Sequence, residues 1–213
     1  MKIQSALFSE WYPFDKFYPQ AELITLGIGD IPDPDGFLVI WGGGDIHPSL
    51  YGRPNIASSV GKVPSLRDQA EATLFKRAVD LGVPIVGICR GAQLGCALSG
   101  GILVQHVEGH ERSHGITTIN GQTLISSSLH HQMMGLWGTN HELFAWSSEK
   151  LSDFYLGITD EELDLLAGIE PEIVWFPDTK CLAIQGHPEF LDLNHPFNTL
   201  TKELLLKYGI YKN

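Results

Sequence analysis

Basic residues are scarce in this chain. Lysine and arginine number 14 against 25 aspartates and glutamates, for a net charge of −11. With no basic run and no aromatic-rich basic stripe, nucleic acid is a poor partner. Long apolar runs are also missing: no window is apolar enough to span a bilayer, so no membrane partner is expected. Met1 to Glu10 is too short and too polar for a signal-peptide core, which places the protein in the reducing, cytoplasmic compartment where it is made. Cysteine is rare too. Cys89, Cys96 and Cys181 form neither an even set nor a C-x-x-C pair, which argues against a disulfide framework and against a structural zinc site. No repeat, low-complexity tract or clean linker interrupts the chain, so residues 1–213 are read as one domain.

What the sequence does contain is an alternation of strand and helix patterns. Lys2 to Phe8, Ala21 to Ile28 and Phe37 to Trp41 read as strands, the first two separated by an aromatic, proline-bearing segment. Ser65 to Leu81 follows as an amphipathic helix, with Leu66, Ala70, Leu74, Ala78 and Leu81 spaced by three and four. It leads to a short buried strand around Ile85 to Ile88 and a second apolar helix. This rhythm predicts a doubly wound α/β fold, a mostly parallel sheet with helices on both faces and ligands at the carboxyl ends of its strands. After Gly100 the pattern changes to short strands, Gly101 to Val107, Thr117 to Ile125, Glu142 to Ser147 and Glu172 to Phe176, read as a small antiparallel segment.

Between that buried strand and its helix stands Gly87-Ile88-Cys89-Arg90-Gly91, the cysteine form of a nucleophile elbow. Small neighbours permit the tight turn, and the helix N-terminus favours the thiolate, the attacking species. Downstream, an apolar run from Cys181 ends in Gln185-Gly186-His187-Pro188-Glu189. In extended backbone residues i and i+2 share a side, so Glu189 is placed to hold the His187 imidazole. Cys89, His187 and Glu189 thus form a nucleophile, base and orienting carboxylate. The Gly42-Gly43-Gly44-Asp45 run after the Phe37 strand supplies backbone N–H groups that, with the N–H of Arg90, would make an oxyanion hole. Cys96 and Cys181 have no base in their local sequence and read as packing residues.

Five blocks in this order resemble class I, triad-type glutamine amidotransferases, and among them the γ-glutamyl hydrolase-like branch that includes the γ-glutamyl-γ-aminobutyrate hydrolases. They are Gly43 to Gly52, Arg67-Asp68 with Glu71, Gly87 to Leu94, Ser128-Leu129-His130-His131-Gln132, and Gln185 to Glu189. The resemblance implies a flavodoxin-like fold and cleavage of a γ-glutamyl amide through a Cys89 thioester, with no metal or organic cofactor. It also implies that Gly43 or Gly44 and Arg90 bind the oxyanion, and that Gln93 and the backbone of Ser128, Leu129 and His130 hold the glutamyl α-amino and α-carboxylate groups. Two features depart from the family pattern: Gly186 stands where a large aromatic is usual, and the region before Phe37 is short.

Other readings stay open. Arg67, Asp68 and Glu71 fit either a solvated helix face or a role near the site. His106, His110 and His114 recur at every fourth residue, but a helix through them would pass through Gly109, so they are read as a loop of solvated histidines and not as a metal site. Besides a free-standing hydrolase of a small-molecule γ-glutamyl substrate, the chain fits a glutaminase subunit that passes ammonia to a synthetase partner, or an inactive binding module of this fold. The oligomeric state, a homodimer included, and the roles of Trp11, Trp41 and Trp137 are left open.

Overall fold

The computed structural model describes residues 2–6 and 20–211. Five strands form the parallel part of the main sheet: β1 (Lys2–Ala6), β2 (Glu22–Leu26), β3 (Gly36–Ile40), β4 (Ile85–Ile88) and β11 (Cys181–Ile184). They lie in the order β2-β1-β3-β4-β11, every neighbour parallel. Beyond β11 the same sheet continues antiparallel through β10 (Pro171–Phe176), β9 (Glu142–Ser147), β6 (His114–Thr118) and β7 (Thr123–Ser126). A separate antiparallel pair joins β5 (Ile102–Val104) to β8 (Met133–Gly135). The expected antiparallel pieces are present, and most of them extend the main sheet. Of the segments read as strands from sequence, Leu7 and Phe8 lie outside the described residues, as does Trp11.

Every residue of β3, β4 and β11 is buried, as two-sided coverage requires. Their alternation divides the core into two faces. Leu38 and Ile40 pack with Leu74, Phe75 and Ala78 of α1 (Leu66–Leu81) and with Ala92 and Leu94 of α2 (Arg90–Leu98). Phe37 and Val39 point the other way, toward Phe197, Leu200 and Leu204 of α4 (Pro196–Lys207). Trp41 is wholly buried on this second face. A short helix, α3 (Asp160–Leu166), packs outside the main sheet, and Trp137 donates to its Glu162 at 3.3 Å.

Helix α1 begins where sequence places it because Ser65 and Asp68 form a reciprocal capping box, and it ends at left-handed Gly82. One strand expectation needs correction. Thr117 to Ile125 is not a single strand but the β6–β7 hairpin, turned at Asn120-Gly121 with Gly121 at φ 78°. Gly121 supplies the positive φ that the turn demands.

Candidate active site

Cys89 follows the carboxyl end of β4, which lies between β3 and β11 in the sheet, and caps α2 with φ 50° and ψ −106°. A non-glycine residue in this conformation is strained and persists only where its surroundings over-determine it. Here its N–H donates to the Ile184 carbonyl of β11 at 2.7 Å, while its own carbonyl accepts from Gln93 N–H at 3.1 Å. The flanking glycines are sterically obligatory. A Cβ on Gly91 would lie 1.9 Å from the Ile40 carbonyl oxygen, and one on Gly87 2.4 Å from that of Gly91. Helix and strands therefore close to backbone contact, leaving the thiol at the N-terminus of α2, where the helix dipole favours its anionic form.

The strand beside β4 ends three residues before His187, whose Nδ1 lies 2.8 Å from Glu189 Oε1, with both side chains buried. The geometry differs from an extended i, i+2 pair. Pro188–Phe190 form a 3₁₀ turn, and it is this turn that brings Glu189 back to the ring while Phe190 stacks on it at 4.9 Å between centroids. Burial depresses the His187 pKa, but hydrogen bonds to Cys89 and Glu189 and their charges outweigh it and carry the imidazole up to about 10. The arrangement favours an imidazolium at His187 at neutral pH. Cys96 and Cys181 are buried in the core, and burial raises both thiols, Cys96 to about 12.

The glycine run follows β3, the neighbour of β4 on its other side. A Cβ on Gly42 would meet the His187 ring at 2.8 Å, and Gly43, at φ 146°, would drive one to 2.3 Å from the Arg67 guanidinium. Gly44 has open space around it. Arg67 fixes this loop by donating to the carbonyls of Trp41 and Gly42 at 3.0 and 2.9 Å, and it pairs with Glu71 at 2.9 Å. Arg90 bridges Asp68, at 2.6 Å, and Glu71, all three being buried. Arg67, Asp68 and Glu71 are thus not a solvated face: they lock α1 to the first residue of α2 and to the glycine loop. A cavity of about 270 Å³ opens beside them, lined by Gly44, Asp45, Val60, Arg67 and Arg90.

The remaining sequence candidates converge on the same edge. Gln93 Nε2 donates to the Gln132 carbonyl at 3.1 Å. The Ser128 hydroxyl donates to the His110 carbonyl at 2.7 Å, the Leu129 side chain is exposed, and His130 is buried. The unusual Gly186 is explained here: a Cβ would sit 2.2 Å from Ser126 Oγ and 2.7 Å from the Ser127 carbonyl, which accepts His187 N–H at 2.9 Å.

The sequence pattern of the Peptidase C26 family matches residues 33–139, half of the chain and the half that holds Cys89. The chain belongs to the Peptidase C26 family. Within the class I glutamine amidotransferase superfamily, it is 28% identical over 168 residues to a Mycobacterium tuberculosis protein provisionally named a glutamine amidotransferase, covering 76% of this chain and 53% of that one. A glutamine amidotransferase-like protein of Lactococcus lactis, also provisionally named, is 29% identical over 162 residues, 71% of this chain and 65% of its own. The chain thus spans only about half to two thirds of these relatives. Among solved structures, a Thermoplasma acidophilum protein provisionally described as one of the subunits of GMP synthase superposes with a TM-score of 0.63 at 14% identity, covering 98% of this chain and 93% of the other. Likeness at that identity speaks for the fold alone.

One sequence reading of this C26 chain is overturned. His110 and His114 are not solvated: they are 0% and 8% exposed, and they gather with His130 around Glu172 of β10, while Glu170 accepts from the far side of His110. The sequence signal was an acid, Glu172, inside a wholly buried strand, together with a second at Glu170. His131, next in sequence to His130, turns the other way and pairs with Asp45 at 2.9 Å. Among the described residues no helix is long and apolar enough to cross a membrane.

Proposed function

We propose that this chain hydrolyses a γ-glutamyl amide through a thioester on Cys89. The observation that carries the reading is the strained Cys89 at a helix N-terminus, engaged by a buried His187 that Glu189 holds. The thiolate attacks the amide carbon, forming the S–C bond, and the carbonyl oxygen becomes an oxyanion facing the N–H of Arg90 and the glycine loop. Gly43, where no side chain fits, is the better candidate of Gly43 and Gly44 for the second donor. Collapse breaks the C–N bond as His187 gives its proton to the departing amine. Water then attacks the thioester, its proton passes to His187, and the C–S bond breaks to release glutamate. Gln93, hydrogen-bonded to the 128–132 loop, positions the wall assigned to the glutamyl α-amino and α-carboxylate groups, and the 270 Å³ cavity suits a small leaving amine.

A second reading is a glutaminase that hands ammonia to a separate synthetase, the kind of assembly that the name of the Thermoplasma protein sharing this fold describes. Glutamate release from glutamine and from a panel of γ-glutamyl amines separates the two. Unassisted turnover of a conjugate, absent in Cys89→Ser, is expected of the free-standing hydrolase. Silence on every substrate, with Cys89 still labelled by an electrophilic glutamine analogue, supports the synthetase-dependent glutaminase. Failure to label Cys89 would overturn both.

A further inference from the structure

We propose that His110, His130 and Glu172 are the ligands of a structural zinc ion, with His114 packed beside them. The decisive observation is what each ring nitrogen faces. His114 Nδ1 lies 3.1 Å from the Arg112 carbonyl and His130 Nδ1 2.9 Å from the Gln132 carbonyl. A carbonyl oxygen only accepts, so each Nδ1 carries the hydrogen and each neutral ring presents a bare lone pair at Nε2. Both lone pairs face the same atom, Glu172 Oε1, at 3.0 and 3.5 Å. His110 adds a third. Its Nε2 faces Glu170 at 3.1 Å, and Glu170 already receives the N–H groups of Leu151 and Ser152 and the hydroxyl of Tyr155, as an anion does. With that ring hydrogen given to Glu170, His110 Nδ1 turns its lone pair on Glu172 Oε1, at 3.1 Å.

Three lone pairs and a carboxylate oxygen repel one another unless positive charge lies among them. Protons alone would have to charge rings whose centroids lie 4.7 and 4.9 Å apart in a nearly dry site. One divalent cation held by His110, His130 and Glu172 offsets the charge of Glu170 and Glu172. The dimensions agree. A tetrahedral zinc with bonds of about 2.0–2.1 Å sets its ligand atoms about 3.3 Å apart, and the His110 and His130 nitrogens lie 3.1 and 3.5 Å from Glu172 Oε1. Ligand atoms of His110, His130 and Glu172 all fall within 4.8 Å of one another, and the buried Glu172 Oε2 makes no hydrogen bond.

Each histidine also donates its second ring nitrogen to a carbonyl or carboxylate, the outer-shell arrangement that fixes metal-binding imidazoles. Two imidazoles and one carboxylate select zinc over the oxygen-seeking calcium and magnesium. All three ligands are buried away from solvent and His114 packs against them, so the role is structural. The ion ties the loop before β6, the loop after β7 and strand β10 together, behind the 128–132 wall. Being structural, it does not depend on the proposed reaction.

The test uses the full chain expressed with added zinc. About one zinc per chain is expected by elemental analysis, with a melting temperature that falls on chelation and recovers with zinc. Replacement by cobalt(II) is expected to give the intense visible absorption of a tetrahedral centre. Glu170→Gln removes no ligand and is expected to weaken zinc binding about 10–100-fold in competition with a chromophoric chelator. Metal content well below one per chain, with a melting temperature indifferent to zinc and chelator, would overturn the proposal and leave a proton-charged histidine–carboxylate network. Unaltered zinc affinity in Glu170→Gln would overturn the assigned ligand geometry.

Discussion

Histidine meets glutamate twice in this molecule, once in each half of the sheet, with opposite outcomes. In the parallel half, His187 lies between one thiol and one carboxylate, on loops that leave the carboxyl ends of β3, β4 and β11. In the antiparallel half, three imidazoles surround Glu172 inside a strand. Parallel strands end together, so their loops converge on a common edge that a ligand can reach. A residue within a strand instead projects into the packed layer and sees only protein. The same two side chains thus make a proton relay where the sheet ends and a sealed cation cage where it continues.

The sharpest separation of the two comes from Cys89→Ala. Glutamate release is expected to fall on the order of 10⁶-fold, while zinc content and melting temperature stay those of the parent protein. Glu189→Gln should cost about 10⁴-fold in kcat, by analogy with the orienting acid of other triads, and it should move the alkaline limb of the pH–rate profile. The sign follows from the raised pKa of His187. Its imidazolium persists above the ordinary 6.5, so activity and the ion pair's share of stability are retained at neutral pH and lost as pH rises through about 10. In Glu189→Gln that loss should begin at lower pH, and an unmoved limb would deny Glu189 its role.

Gly186→Ala strikes the backbone between the two groups. Urea unfolding should show a loss of about 1–3 kcal/mol, the usual cost of overpacking, and a loss below measurement error would mean that the Ser126 and Ser127 contacts yield freely. The smallest effect belongs to His131→Ala. Its partly exposed pair with Asp45 should contribute no more than about 1 kcal/mol to stability, whereas His110→Ala should abolish zinc binding.

Legibility in the sequence followed distance along the chain. The elbow, the capped α1 and the His187-Pro188-Glu189 turn are local, so spacing and composition revealed them, although the 3₁₀ turn replaced the extended geometry expected. Arg67, Asp68 and Glu71 were half legible: their helical spacing was plain, but Arg90, which buries them, lies 22 residues from Asp68. The histidine cluster was illegible because its members meet only through the fold. His110 finds Glu172 from 62 residues away, and burial reverses the meaning of a histidine repeat that looks solvated in sequence. The β6–β7 hairpin was a missed local signal, since Asn120-Gly121 stood inside the segment read as one strand.

The segment from Ser126 to Gln132 stands between the relay and the cage, touching Gly186 and His187 on one side and His110 and Glu172 on the other. For the history of such a protein, this divides its pocket into an inherited wall and a negotiable one. A change in the shared segment must satisfy two neighbours at once, so drift there is blocked. Asp45 and Ser58 are tied to this segment through His131 and Gln132, whereas Ser59 to Val63 line the cavity, and new tastes in leaving amine would be acquired there.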